Sequence, residues 1–144
     1  MKIKISYATA EDLVYLEKND NHIDQQKVKE KVDRRQVIIV KDGQTPIGWL
    51  RFGYLYDIIP FMNMLALEDE YRKQGIGSKL VKFWEGEMKK AGHKMVLTSS
   101  QANEDAQHFY RKIGYEDAGA LFGINDEPES VGDPVEVFFL KRLK

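Results

Sequence analysis

The sequence predicts an α+β fold in which a mixed sheet carries helices on both faces. Three observations lead there. Short apolar runs joined by turn signals fill the first half, which favours antiparallel hairpins. Strand-like runs flank two amphipathic segments in the second half, which favours βαβα units. The 144 residues, 42% of them hydrophobic, suffice for one sizeable core, so a single domain spanning residues 1–144 is expected.

The elements follow in order. Residues 3–7 alternate apolar and polar and read as a strand. Thr9 reads as an N-cap, with Asp12 three residues on, for a helix through about Lys18. Residues 24–34 give a second short helix, and residues 37–40 a buried strand followed by the turn dipeptide Asp42-Gly43. Residues 47–56 form a long strand rich in aromatics. Residues 61–67 contain almost no polar residue and read as a strand buried on both faces. From Gly75 to Ala91, Ile76, Leu80, Phe83, Trp84, Met88 and Ala91 recur at helical spacing, and Gly92 supplies a stop. Residues 94–98 make the next strand. Asn103 is expected to cap a helix ending near Ile113, with Gly114 as its stop, and residues 115–122 and 135–140 close the sheet. Residues 124–134 carry Gly, Pro, Asn, Asp and Ser and are expected to form a mobile loop.

Composition excludes several classes of function. A net charge of −1 offers no general attraction to nucleic acid or to an anionic membrane. The chain has no cysteine, which removes disulfides, thiolate catalysis and cysteine-ligated metals. His22, His93 and His108 lack metal-ligand spacing, and no metal is expected. No apolar leader or membrane-length run is present, so a cytoplasmic location is the expectation.

The most informative stretch runs from Leu65 to Leu80. An apolar strand enters a glycine-bearing loop that opens directly into a helix. Such a loop leaves backbone N–H groups unpaired at the positive end of the helix dipole, a ready anion site. Gly75 and Gly77 keep side chains out of the way, and Arg72 and Lys73 add positive charge. The bland alternative is a tight strand-to-helix turn. The lysine and hydroxyl of a P-loop and the third glycine of a dinucleotide fingerprint are both missing.

Arg72-Lys73-Gln74-Gly75-Ile76-Gly77 resembles the acetyl-CoA pyrophosphate loop of the GNAT superfamily of N-acetyltransferases. Asn103, Ala106, the Phe109-Tyr110 pair and the Gly114-Tyr115 pair resemble the second signature of that superfamily, in the same order along the chain. Together they span roughly residues 60–116. The resemblance implies a mostly antiparallel, three-layer sheet that splays between its fourth and fifth strands, with acetyl-CoA as acetyl donor in the V. It implies that the backbone of Leu65, Ala66 and Leu67, exposed by a bulge, pairs with the pantetheine arm. It assigns the diphosphate to the amides of Lys73, Gln74, Gly75, Ile76, Gly77 and Ser78, with Arg72 as a supporting charge. Asn103, Phe109 and Tyr110 then contact the cofactor.

Direct transfer to an amine needs a deprotonated amine, a polarised carbonyl and a proton for the leaving thiolate. No protein nucleophile is required, which suits a chain without cysteine. Tyr110 is the candidate acid, because a phenol titrates near a thiol. Without the resemblance, Phe109-Tyr110 on an amphipathic helix reads as core packing. The base is less defined: residues 95–100 and 61–64, where better-known members carry a carboxylate, contain no acid. Asp57, Glu17 and an ordered water chain are the candidates, with Asp57 and water ranked level.

The acceptor is expected to be a primary amine of a small molecule or peptide. Its pocket is expected between the N-terminal helices, the aromatic strand (Trp49, Phe52, Tyr54, Tyr56) and an acidic loop (Asp126, Glu127, Glu129) suited to a cationic amine. A non-catalytic CoA-binding sensor or partner domain is the alternative, and an unrelated nucleotide-binding module a distant third. Exposed aromatics on the last strands would favour a homodimer.

Overall fold

The computed structural model describes residues 1–124 and 135–144, so the acidic-loop residues Asp126, Glu127, Glu129 and Asp133 lie outside the described residues. The strands are β1 (Ile3–Tyr7), β2 (Val37–Asp42), β3 (Thr45–Leu55), β4 (Ile59–Leu67), β5 (Met95–Gln101), β6 (Glu116–Phe122) and β7 (Val135–Arg142). The helices are α1 (Leu13–Asn19), α2 (Val28–Asp33), α3 (Ile76–Lys90) and α4 (Ala106–Lys112), with short 3₁₀ turns before α1 and α2 and ahead of the α3 loop. The strands form one seven-stranded sheet in the order β1-β2-β3-β4-β5-β7-β6.

β4 and β5 run parallel, and their ladder comprises Phe61↔Leu97 and Met62↔Thr98. Among the described residues it goes no further, which is the expected splay. The expectation that β4 is buried on both faces is corrected. Met62 is 2% exposed, but Asn63 is exposed and residues 64–67 keep partial exposure. An apolar strand with an unpaired flank reads in sequence like a fully buried one.

The chain forms two compact units, one from Met1–Gly53 with Asn63–Glu87, the other from Tyr54–Met62 with Met88–Lys144. In the first, side-chain alternation along β2 and β3 decides the layering. Val37, Ile39 and Trp49 pack with Leu16 of α1 and Val28 and Val32 of α2. The opposite face receives α3: Phe52 meets Trp84 with ring centroids 5.7 Å apart, and Tyr7 meets Phe83 at 6.1 Å. Helices thus cover both faces there. The α3 stripe holds at Ile76, Leu80, Trp84 and Met88, with Val81 added, while Ala91 is exposed beyond the end of the helix. Burying each large side chain contributes roughly 1.5–3 kcal/mol.

Upstream of α1, Asp12 accepts from the Thr9 N–H at 2.8 Å, the reciprocal half of a capping box, and pairs with Lys41 at 2.9 Å. Asp24 accepts from the Gln26 N–H at 3.0 Å and starts the turn into α2.

In the second unit, β7 pairs antiparallel with both β5 and β6, and α4 lays Tyr110 on Phe139 and Tyr115, each at 5.8 Å. The expected cap of α4 is corrected. Asn103 lies ahead of the helix, and Asp105 occupies the N-cap position. The reason is local: Glu104 N–H donates to the Gln101 carbonyl at 3.1 Å, and its carboxylate accepts from the Gln101 N–H at 2.9 Å. That closed turn delays the helix to Ala106. A two-turn helical spacing therefore does not relate Asn103 to Tyr110.

Candidate functional site

β4 ends at Leu67, and a 3₁₀ turn at Asp69–Tyr71 leads into an exposed loop. The Tyr71 hydroxyl donates to Asp42 at 2.9 Å, and Arg72 Nε reaches the Leu67 carbonyl at 3.4 Å. These contacts fix how the chain leaves the strand. Lys73 then takes φ of 61° and Gly75 φ of 83°. Consecutive residues that alternate through the left-handed region turn their N–H groups to one side and form an anion-binding concavity.

The hydrogen-bond accounting is decisive. Tyr71 N–H donates to Glu68 O, Arg72 N–H to Asp69 O, and Lys79 N–H to Gly75 O, which is the first bond of α3. Between them, the N–H groups of Lys73, Gln74, Gly75, Ile76, Gly77 and Ser78 meet no acceptor among the described residues. The Gln74 side chain does not seal the turn; it donates to the Glu70 carbonyl at 2.9 Å. Arg72 makes two long, exposed contacts, to the Leu67 carbonyl and to Asp69, each at 3.4 Å. Six N–H groups without an acceptor among the described residues, at the start of a 15-residue helix, fit a diphosphate well.

Upstream, β4 sits tightly against β3. A Cβ at Gly48 would collide with the Ala66 carbonyl oxygen and come within 2.7 Å of Leu67 Cδ2. Met64 and Ala66 pack on the α1/α2 cluster. The Asn63 amide lies on that face too, 3.2 Å from the Cβ position of Gly53. Two consecutive residues on one face break strict alternation at 63/64, which accords with a bulge just before Leu65.

In the other unit Tyr110 is 6% exposed. Burial pushes its hydroxyl above the ordinary phenol range; a Thr98 hydrogen bond opposes this, and the carboxylates of Glu104 and Glu136 add to it. Thr98 Oγ1 donates to the Met62 carbonyl at 3.0 Å. Phe109 is half-buried, its ring 5.5 Å from that of Tyr110. Asn103 is exposed. Arg111 is exposed, grips Asp117 in a bidentate pair at 2.9 and 3.0 Å, and lies 5.3 Å from the Phe139 ring.

The base candidates stand apart from these groups in the chain. Asp57 shares the tip of the β3–β4 turn with Tyr56, both at positive φ, and is exposed. Glu17 is exposed on α1. Trp49 and Phe52 are core residues on opposite faces of β3, so they do not line one pocket as expected. His22 and His108 are surface residues, as expected.

Several polar groups escaped the sequence reading. Tyr15 O–H donates to Glu68 at 2.9 Å, and its hydroxyl is pushed well above the usual range by burial, the Glu68 hydrogen bond and its charge. Arg51 and Asp20 form a buried ion pair, beside which Lys31 reaches toward Asn63. A visible signal did exist, a lone arginine between Leu50 and Phe52.

The arrangement sets a strand, a loop of unpaired amides and a helix in sequence. Among solved structures, Ard1 from Thermoplasma volcanium has a TM-score of 0.83 at 12% identity, over 100% of this chain and 99% of that one. The ribosomal-protein-S18-alanine N-acetyltransferase from Escherichia coli gives 0.80 at 15%, over 99% and 94%. PaiA N-acetyltransferase from Thermoplasma acidophilum, in complex with coenzyme A, gives 0.75 at 20%, over 99% of both chains. No curated protein matches this chain in sequence. The sequence pattern of the Acetyltransferase (GNAT) family matches residues 5–115, and the chain belongs to that family.

Proposed function

We propose that this protein is an acetyl-CoA-dependent N-acetyltransferase, a single catalytic domain that transfers acetyl to the primary amine of a small molecule or peptide. The observation that carries this is the run of unpaired N–H groups from Lys73 to Ser78. Acetyl-CoA supplies the activated acetyl thioester. The amides of Lys73 to Ser78 hold its diphosphate, Arg72 adds charge, and the backbone of Leu65, Ala66 and Leu67 pairs with the pantetheine amides as an added strand would. Asn103 and Phe109 contact the coenzyme.

The acceptor nitrogen attacks the thioester carbonyl directly. A C–N bond forms, the C–S bond breaks, and the nitrogen proton leaves to Asp57 or to ordered water. Tyr110 gives its proton to the departing sulfur. Its raised pKa keeps it in the protonated form an acid requires. Among the described residues no helix is long and apolar enough to cross a membrane, and a cytoplasmic site of action is part of the proposal.

Thiol release from acetyl-CoA across a panel of amines tests the reading. Amine-dependent release, reduced in Tyr110→Phe, supports it. Tight CoA binding without turnover on any amine would point to a CoA sensor, a reading that the absence of a carboxylate from residues 61–64 and 95–100 keeps in view.

A further inference from the structure

Lys31 is a half-buried cation with no ion-pair partner among the described residues. It projects from α2, and its ammonium donates to Gln36 Oε1 at 2.9 Å and to the Phe52 carbonyl at 3.1 Å. An ammonium has three hydrogens, and the third meets no acceptor among the described residues. Among the described residues no carboxylate stands within ion-pair distance of its ammonium. Arg34 is engaged with Glu30 at 3.0 Å, and Arg51 is spent on Asp20 at 2.8 Å. Loss of water lowers the Lys31 pKa; the charges of Arg51, Arg34 and Lys27 add to this, and the charge of Glu30 opposes it.

Lys31 Nζ and a second donor border the same empty position at Gly53. The Cβ site of Gly53 is 3.2 Å from Lys31 Nζ and 3.2 Å from Asn63 Nδ2. The absent side chain at Gly53 lets the two tips converge, and Asn63 is exposed, so the pair is open to a ligand. Its place along the chain gives it meaning. Under the acetyl-transfer reading, on which this inference rests, the diphosphate sits at residues 73–78 and the pantetheine arm runs back along Leu67, Ala66 and Leu65. Continuing in that direction, the acyl end of the coenzyme arrives toward Asn63, about 13 Å along the strand from Leu67.

We infer that Lys31 and Asn63 bind a carboxylate of the acceptor, which is therefore an amine that also bears an acidic group: an amino acid, or a peptide with an acidic side chain near its N-terminus. Such an acceptor supplies the counter-ion that Lys31 lacks. A purely cationic amine, the acceptor favoured by the acidic loop in the sequence, would be repelled here.

The test compares kcat/KM for matched acceptors: an amino acid against its decarboxylated amine, and a peptide with glutamate at its second position against the same peptide with glutamine. A preference for the acidic member of about tenfold or more is expected in at least one pair, and which pair shows it distinguishes the two sources. Asn63→Asp places a carboxylate beside Lys31 and should abolish that preference. Lys31→Met should do the same, and Lys31→Arg should retain part of it. Circular dichroism confirms folding of each variant. Equal kcat/KM within both pairs, or a wild-type ratio in Asn63→Asp, overturns the inference while leaving acetyl transfer intact. No turnover of any amine overturns the acetyl-transfer reading and this inference with it.

Discussion

Arg51 Nε donates to Asp20 Oδ2 at 2.8 Å and its Nη2 to Oδ1 at 3.3 Å, both side chains being almost wholly buried. The same Nη2 donates to the His22 carbonyl at 3.2 Å. One guanidinium thus fastens the segment between α1 and α2 to the middle of β3. Removing one partner strands a buried charge, which typically costs about 3–5 kcal/mol. Arg51→Met should lower stability by that amount in urea denaturation, and Asp20→Leu combined with Arg51→Met should recover most of it. Additive losses in the double variant would show that the pair is not a unit.

Gly75→Ala separates conformation from space. Nothing lies within 4 Å of a Cβ there, but φ of 83° is strained for alanine. The expected stability loss is modest, about 1–2 kcal/mol. Calorimetric affinity for CoA should fall about tenfold or more as the amides lose their common direction. Unchanged affinity would remove this loop from coenzyme binding.

At Gly48 the opposite holds, because the neighbour is backbone. Gly48→Ala drives a methyl into the Ala66 carbonyl, and overpacking of this kind costs about 1–3 kcal/mol or more. Thermal denaturation should show the loss. CoA affinity should fall too, since Ala66 belongs to the segment proposed to pair with pantetheine.

Tyr110→Phe deletes one buried hydroxyl. General acids contribute about 10²–10⁴-fold, so kcat should drop by at least about two orders of magnitude with CoA affinity little changed. The raised pKa keeps Tyr110 protonated past pH 10, so it should impose no fall in rate below that pH. Wild-type kcat in Tyr110→Phe would free it from the mechanism.

The same shift has a stability consequence. In the unfolded chain Tyr15 and Tyr110 ionise near pH 10, while in the folded protein both are held above that value, mainly by burial. Above pH 10 the unfolded state binds fewer protons, so stability falls as pH rises, by about 1.4 kcal/mol per pH unit for each group until its folded pKa is passed. Below pH 10 the contribution is fully present. Tyr15→Phe should flatten the alkaline limb of a stability-versus-pH curve; an unchanged slope would contradict this.

Periodicity and loop chemistry made most of the architecture legible. The α3 stripe is intrinsic to residues 76–88, β1 to its alternation, and the anion loop to its glycines and cations. Features set by tertiary partners were hidden. Asn103 looked like a cap because asparagine caps helices, but the Glu104–Gln101 turn intervenes. Phe52 looked like a pocket residue, yet Trp84 covers it. The Lys31–Asn63 convergence joins residues 32 positions apart across a missing side chain, and no local pattern encodes it.

Six amides without an acceptor among the described residues, beside Lys73 and Gly75 at positive φ, make the entrance to α3 an unfinished piece of architecture. A bound coenzyme would act there as a keystone, completing by its oxygens what the polypeptide leaves open. Saturation should therefore slow hydrogen exchange at residues 73–78 before it changes exchange anywhere in the β2–β3 core, because the gain in rigidity begins where the fold itself stops short.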